Sequence, residues 1–198
     1  MLMTRRALLG ASAAGAALVA VGCNRQNGDL HAILDRAVVD FLRESPEFAT
    51  SLAVSEEQAG GRYIDRLSDV SREAIARQRE NTQAVIAELG TVNRGNLSQQ
   101  DQVTLDVVRT ALQNSVEAGA FVTGQGAQAP YTVTQLTGAF NNMPDFLVQQ
   151  HPVRTRDEAD AYLTRLSGFA AMLEQEPTRI GQDEPDGVTP PDFVIAGA

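Results

Sequence analysis

The chain has one cysteine, two histidines, no tryptophan and no lysine in 198 residues. Each shortage closes a route. One cysteine, Cys23, leaves no partner for an intramolecular disulfide. A zinc hydrolase commonly draws about three protein ligands to one ion, often with two histidines one helical turn apart. His31 and His151 stand far apart, and although His31 and Asp35 share a helix face, they do not complete such a set. No metal ligand and no catalytic residue is therefore assigned in this chain. No serine sits in a G-x-S-x-G context. Gly124-Gln125-Gly126 lacks the preceding strand and the third glycine of a phosphate loop, and Asp183, Glu184 and Asp186 lack calcium-loop spacing. All 16 basic residues are arginines, against 25 acids, for a net charge of −9. That balance excludes nucleic acid as a partner and electrostatic adhesion to anionic lipid, both of which need clustered cations. Alternation of period two is nearly absent, with Tyr131 to Thr134 the only short strand candidate.

What is present begins with an export signal. Arg5-Arg6 forms a twin-arginine start, the stretch from Ala7 to Val21 is uncharged and alanine-rich, and Ala20-Val21-Gly22-Cys23 reads as a lipoprotein cleavage site. The apolar run is shorter than the ~20 residues a membrane span requires. Residues 1–22 are expected to be the signal peptide, with Cys23 as the lipid attachment point, residues 23–29 as a short tether and residues 30–195 as a helical domain. The expected membrane contact is through the lipid. Asn24, rather than an aspartate, follows Cys23, which points to the periplasmic face of the outer membrane. Cleavage without lipidation would leave a soluble periplasmic protein. Beyond residue 22 the chain keeps 176 residues, 14 arginines and 25 acids, enough for one domain with its own core.

The remainder reads as all-α, amphipathic helices joined by polar loops. Leu30, Ile33, Leu34, Ala37, Val38, Phe41 and Leu42 fall on one helical stripe. Ser45-Pro46 ends that helix or starts another. Val54 to Val70, with Gly60-Gly61, reads as a long loop. Ser71 is the expected N-cap of a helix carrying Ile75, Thr82, Val85, Ile86 and Leu89 on its buried stripe and stopping at Gly90. Ser98 with Asp101 resembles a capping box ahead of Leu105, Val108, Ala111 and Leu112. Gly119 to Pro130 reads as loop. Thr132 to Phe140 and Pro144 to Gln150 are expected as two short helices flanking Asn141-Asn142. Thr155 and Glu158 form a full capping box. Behind it Ala159, Tyr162, Leu163, Leu166, Phe169, Ala170 and Leu173 are expected on one buried face, and Pro177 is expected to stop the helix. Binding candidates are Tyr63, Asp65 and Arg66 in the long loop, and Gln135, Asn141, Asn142 and His151. Ordinary ion pairing, turn chemistry and packing are the competing roles for these side chains.

Three blocks carry a likeness to a known family. The first is Ser45-Pro46-Glu47-Phe48-Ala49-Thr50-Ser51-Leu52, followed by Tyr63-Ile64-Asp65-Arg66-Leu67-Ser68-Asp69. The second runs from Tyr131-Thr132-Val133-Thr134-Gln135-Leu136-Thr137-Gly138-Ala139-Phe140 through Pro144-Asp145-Phe146-Leu147 to Gln150-His151-Pro152. The third is Asp157-Glu158-Ala159-Asp160-Ala161-Tyr162-Leu163, ending in Gly187-Val188-Thr189-Pro190-Pro191-Asp192-Phe193. In order and spacing they resemble the N-terminal part of the bacterial family called domain of unknown function 885, whose members are longer, mostly exported and often lipoproteins. The family is similar to helical zinc metallopeptidases. Its motif of the His-Glu-x-x-Pro-Gly-His-His type, in the C-terminal half, would bind zinc through histidines and activate water through the glutamate. Nothing in this chain matches that motif, so the resemblance brings no catalytic residue. It implies the N-terminal part of a larger helical protein. Zinc would be held only in the missing half, and a peptide would be the substrate of the full-length form. The alternatives are a stand-alone, non-enzymatic helical envelope lipoprotein that binds a partner, and a degraded fragment. Relatives often carry glycine and histidine near the Tyr63 block, where this chain has Gly60-Gly61-Arg62.

Overall fold

The computed structural model describes residues 25–120 and 130–197. Arg5, Arg6 and Cys23 lie outside the described residues, as does most of the loop expected between Gly119 and Pro130. Among the described residues the chain forms seven α-helices and no strand; Thr134 and Thr137 make one isolated bridge where the short strand was expected. The helices are α1 (Arg25–Glu44), α2 (Pro46–Leu52), α3 (Arg72–Gly90), α4 (Gln99–Ala118), α5 (Ala139–Gln149), α6 (Arg156–Asp183) and α7 (Asp192–Ile195). Because α1 begins at Arg25, residues 25–29 of the expected tether are helical. No helix among the described residues is long and apolar enough to cross a membrane.

Local chemistry sets most boundaries. The hydroxyls of Ser71 and Ser98 accept the backbone N–H groups of Ala74 and Asp101, satisfying donors that a helix start leaves free. Thr155 and Glu158 complete the capping box that opens α6. The Ser98 cap is only half a box, because the shorter Asp101 carboxylate accepts from the Ser98 hydroxyl (2.8 Å) and meets His31 Nε2 (3.1 Å). His31 thus faces a residue on α4, not Asp35.

Three apolar clusters hold the helices. Leu30 and Ile33 of α1 meet Leu89 of α3 and Leu97 and Leu105 around α4. Leu42, Ala49 and Ala59 close the α1–α2 corner with Val54 and Tyr63. Ala139, Met143, Phe146 and Leu147 of α5 pack on Met172 of α6, with Leu67, Val70, Tyr162 and Phe169 around them.

Four expectations are corrected. Of the two short helices expected around Asn141-Asn142 only one forms, α5, with both asparagines and Pro144 inside it, and residues 132–138 are turns and bends around the isolated bridge. Its start is set by Gly138, whose φ of +122° cannot continue a helix, and Pro144 removes only one N–H from a helix held by its buried face. Pro177 likewise does not stop α6, which runs on to Asp183 because Glu176, Arg179 and Asp183 are buried on the face that Met172 begins. The stripe expected on α6 splits: Tyr162 and Phe169 pack, but Leu163, Leu166 and Leu173 are exposed. On α1, Val38 and Phe41 are also exposed, and Phe41 instead meets Phe48 of α2 edge to face at 5.4 Å.

Candidate functional site

The face of α6 that enters the protein carries charge. Ala161, Arg165, Met172, Glu176, Arg179 and Asp183 follow one another at helical spacing, all buried. Arg165 is wholly buried, and it is the hub of the largest polar cluster. Its Nε donates to the Arg66 carbonyl (2.9 Å) and its Nη1 to Nδ1 of His151 (2.8 Å). Its Nη2 donates to Thr50 Oγ1 (2.7 Å) and to the carbonyls of Tyr63 (3.1 Å) and Pro46 (3.3 Å). The guanidinium also lies 5.0 Å from the centre of the Phe146 ring. Among the described residues no carboxylate forms an ion pair with it, so three backbone carbonyls, the Thr50 hydroxyl and His151 Nδ1 carry the compensation. Burial pushes Arg165 down to about 10, opposed by the more distant charges of Glu47 and Asp65.

An arginine only donates, so Nδ1 of His151 is the acceptor and the proton sits on Nε2. That nitrogen donates to the Glu158 carbonyl at 2.9 Å, and the ring meets Tyr162 edge to face at 5.4 Å. Both nitrogens of this buried histidine are occupied inside the fold.

The sequence candidates divide into two groups. Tyr63, Arg66 and His151 converge on Arg165, the first two through their carbonyls. The Tyr63 hydroxyl donates to the Val54 carbonyl (2.5 Å) and is pushed up by burial, against the pull of Arg165. Arg66 reaches the Arg43 carbonyl at 2.7 Å. Asp65 faces outward, where Arg62 bridges it (2.7 Å) and Asp157 (two contacts of 3.1 Å). Burial raises Asp65, but the Arg62 hydrogen bond and neighbouring backbone outweigh it and hold the carboxyl below its ordinary value. Gln135, Asn141 and Asn142 belong elsewhere. Gln135 donates to the Phe193 carbonyl at 2.8 Å, and Asn141 to the Leu136 carbonyl at 3.0 Å and to Asn142 at 3.3 Å. None of these contacts joins the arginine cluster.

Further along α6, Glu176 accepts the Ala139 N–H at 2.7 Å and so caps α5 from another helix. Burial pushes Glu176 up and Arg179 down. Asp183 accepts from Thr132 at 3.3 Å through one oxygen, while its other buried oxygen has no hydrogen-bond partner among the described residues. Beside this row lies an open hollow of about 340 Å3, lined by Ser71, Arg72, Glu174, Gln175, Thr178 and Arg179. Among the described residues no three His, Cys, Asp or Glu side chains stand close enough to hold a metal ion. The described geometry therefore ties the long loop, α2 and α6 together around one cation.

Sequence reading missed Arg165 as a hub and Glu176 as a cap, since charged side chains belong outside by default. The usable signal was positional: Arg165, Glu176, Arg179 and Asp183 share a face with Met172.

An all-helical body with a buried arginine pinning a long loop is the class that fold and site define. The family model described as "Bacterial protein of unknown function (DUF885)" matches residues 46–198, and the chain belongs to that family. No curated protein matches the chain. Among solved structures, the fold resembles that of the "putative lipoprotein from Colwellia psychrerythraea", with a TM-score of 0.79 at 16% sequence identity. The match covers 87% of this chain and 30% of that one, so this chain spans less than a third of its structural neighbour.

Proposed function

We propose that this chain is the N-terminal helical portion of an exported lipoprotein that, in full-length form, resembles a zinc-dependent peptidase-like hydrolase. The observation that carries the reading is the family match over residues 46–198, together with a fold neighbour of which these helices make up 30%. In such a protein the helices wall a peptide-binding cleft, and the zinc ligands and the water-activating glutamate come from the other part. The Arg165 cluster supplies rigidity, fixing the long loop against α2 and α6. The neighbour's description as a lipoprotein supports the reading of Cys23 as a lipid attachment site and of Arg5-Arg6 as an export signal.

Reading the genomic DNA beyond the codon for Ala198 tests the first half of the proposal. An open frame encoding a His-Glu-x-x-Pro-Gly-His-His type motif is the expected result. A stop codon there, with stable monomeric protein in cells, would favour the stand-alone envelope lipoprotein. Palmitate labelling tests the second half. Label should appear in the wild-type protein and vanish with Cys23→Ser; equal labelling of both would remove the anchor from the account.

A further inference from the structure

α6 carries an apolar row that the other described residues leave open. Leu163, Leu166, Ala170, Leu173, Pro177 and Ile180 follow one another at alternating steps of three and four. The four large members are 61%, 46%, 39% and 38% exposed in chain order, and Ala170 and Pro177 are exposed between them. Alternation of three and four is the seam along which one helix receives another. A single exposed leucine needs no explanation, but a row running nearly five turns does. A separate face, from Ala161 through Arg165 to Asp183, is the one already buried. α6 thus has two packing faces and a partner on one of them.

Two observations select the occupant. One flank of the row carries Thr164, Ser167 and Thr178 beside Glu174 and Asp160, the latter meeting Arg156 at 3.9 Å. Glu174 has no ion pair among the described residues, and the chain beyond residue 22 carries 25 acids against 14 arginines, so a second copy would set like charges against each other. The fold neighbour, in turn, extends well beyond the 30% that this chain matches. We propose that the row from Leu163 to Ile180 is the docking seam for a helix from that remaining part of the family fold. The helix would carry its own apolar residues three and four apart, with arginine or lysine beside them to face Glu174. The inference rests on the reading of the chain as a portion of a larger helical protein, and adds the face through which the portions join.

The test is site-specific photo-crosslinking in the bacterium that makes the protein, with a benzophenone side chain placed at position 166. Position 107 on α4, where Val107 is 61% exposed, serves as the control. Mass spectrometry should map the crosslink from position 166 to a DUF885-type segment that lies outside residues 1–198, in the same polypeptide or a separate one. The control should give no such product. Moving the probe to position 170 and adding Leu166→Glu and Leu173→Glu should cut the yield by about tenfold or more, with helical circular dichroism unchanged. Crosslinks to a second copy of residues 1–198, to an unrelated protein or to nothing would overturn the seam. If the downstream frame encodes the metal motif and position 166 still finds no family segment, the seam fails while the functional reading stands. If no such frame or segment exists in the cell, both fail.

Discussion

Replacing Arg165 with methionine probes the cluster on which the fold turns. Methionine keeps most of the side-chain length and can hold its contact with Phe146. It withdraws every donor, leaving the carbonyls of Pro46, Tyr63 and Arg66, the hydroxyl of Thr50 and Nδ1 of His151 without their present partner. A buried acceptor left unsatisfied costs about 1–3 kcal/mol. The five do not all count in full, because the Pro46 carbonyl keeps the Thr50 hydroxyl (2.8 Å), the Tyr63 carbonyl keeps the Arg66 N–H (3.0 Å), and the long loop can relax to admit water to the rest. The substitution also removes the cost of burying a cation that has no carboxylate beside it, which returns several kcal/mol. The difference is a net loss of about 3 kcal/mol, a large part of the roughly 5–15 kcal/mol by which a domain is stable. With a urea slope of about 2 kcal/mol/M, the unfolding midpoint measured by circular dichroism should fall by ~1.5 M. Arg165→Lys should fall between, since an ammonium cannot reach acceptors on three sides as a planar guanidinium does. A midpoint for Arg165→Met within about 0.3 M of wild type would refute the hub, because the transferred donors would then have carried no net weight.

Three further outcomes follow from the same geometry. Glu176→Gln keeps an acceptor for the Ala139 N–H and removes a charge that burial disfavours. Since the folded state raises this carboxyl above its ordinary value, its ionised form costs stability at neutral pH and regains it on acidification. Urea unfolding should find the glutamine variant more stable at pH 7, with the advantage vanishing in acid; a less stable variant at pH 7 would show that pairing with Arg179 outweighs burial. Glu158 is held below its ordinary value, first by the Arg154 N–H and then by that of Thr155. Its contribution is therefore present at neutral pH and lost as the pH falls through the lowered value, so Glu158→Gln should flatten the acid limb of stability against pH, and an unchanged limb would contradict this. Gly60→Ala should destabilise the chain by about 1–2 kcal/mol in thermal unfolding, because φ is +70°. The added Cβ would also lie 2.6 Å from Val39 Cγ1. A neutral effect would mean that the Gly60–Gly61 corner relaxes freely.

The parts of the fold that local chemistry determines were legible in the residues. Ser71, Ser98 and Thr155 cap the helices they were expected to cap, and the α1, α3 and α4 stripes around Leu30, Leu89 and Leu105 meet in one cluster. The parts that depend on a distant partner were not. Gly138 offers no side chain to cap α5, so nothing near it reveals that Glu176, on another helix, performs that role. Pro177 reads as a stop because the rule is local, whereas α6 continues because Arg179 and Asp183 are buried beyond it. Leu163, Leu166 and Leu173 read as core because periodicity records that a face is apolar, not what covers it. Of the candidate residues, His151, Tyr63 and Arg66 do meet, but around an arginine whose burial no composition argument suggests. Gln135, Asn141 and Asn142 share only their polarity with that group.

The proposed function places the zinc-coordinating side chains outside this chain. Its most direct test is zinc analysis by mass spectrometry on the purified chain from residue 24, after incubation with excess zinc and dialysis, alongside a peptide-cleavage assay. The expected result is no stoichiometric zinc and no chelator-sensitive cleavage. One tightly held zinc per chain, or cleavage that chelation abolishes and zinc restores, would contradict it.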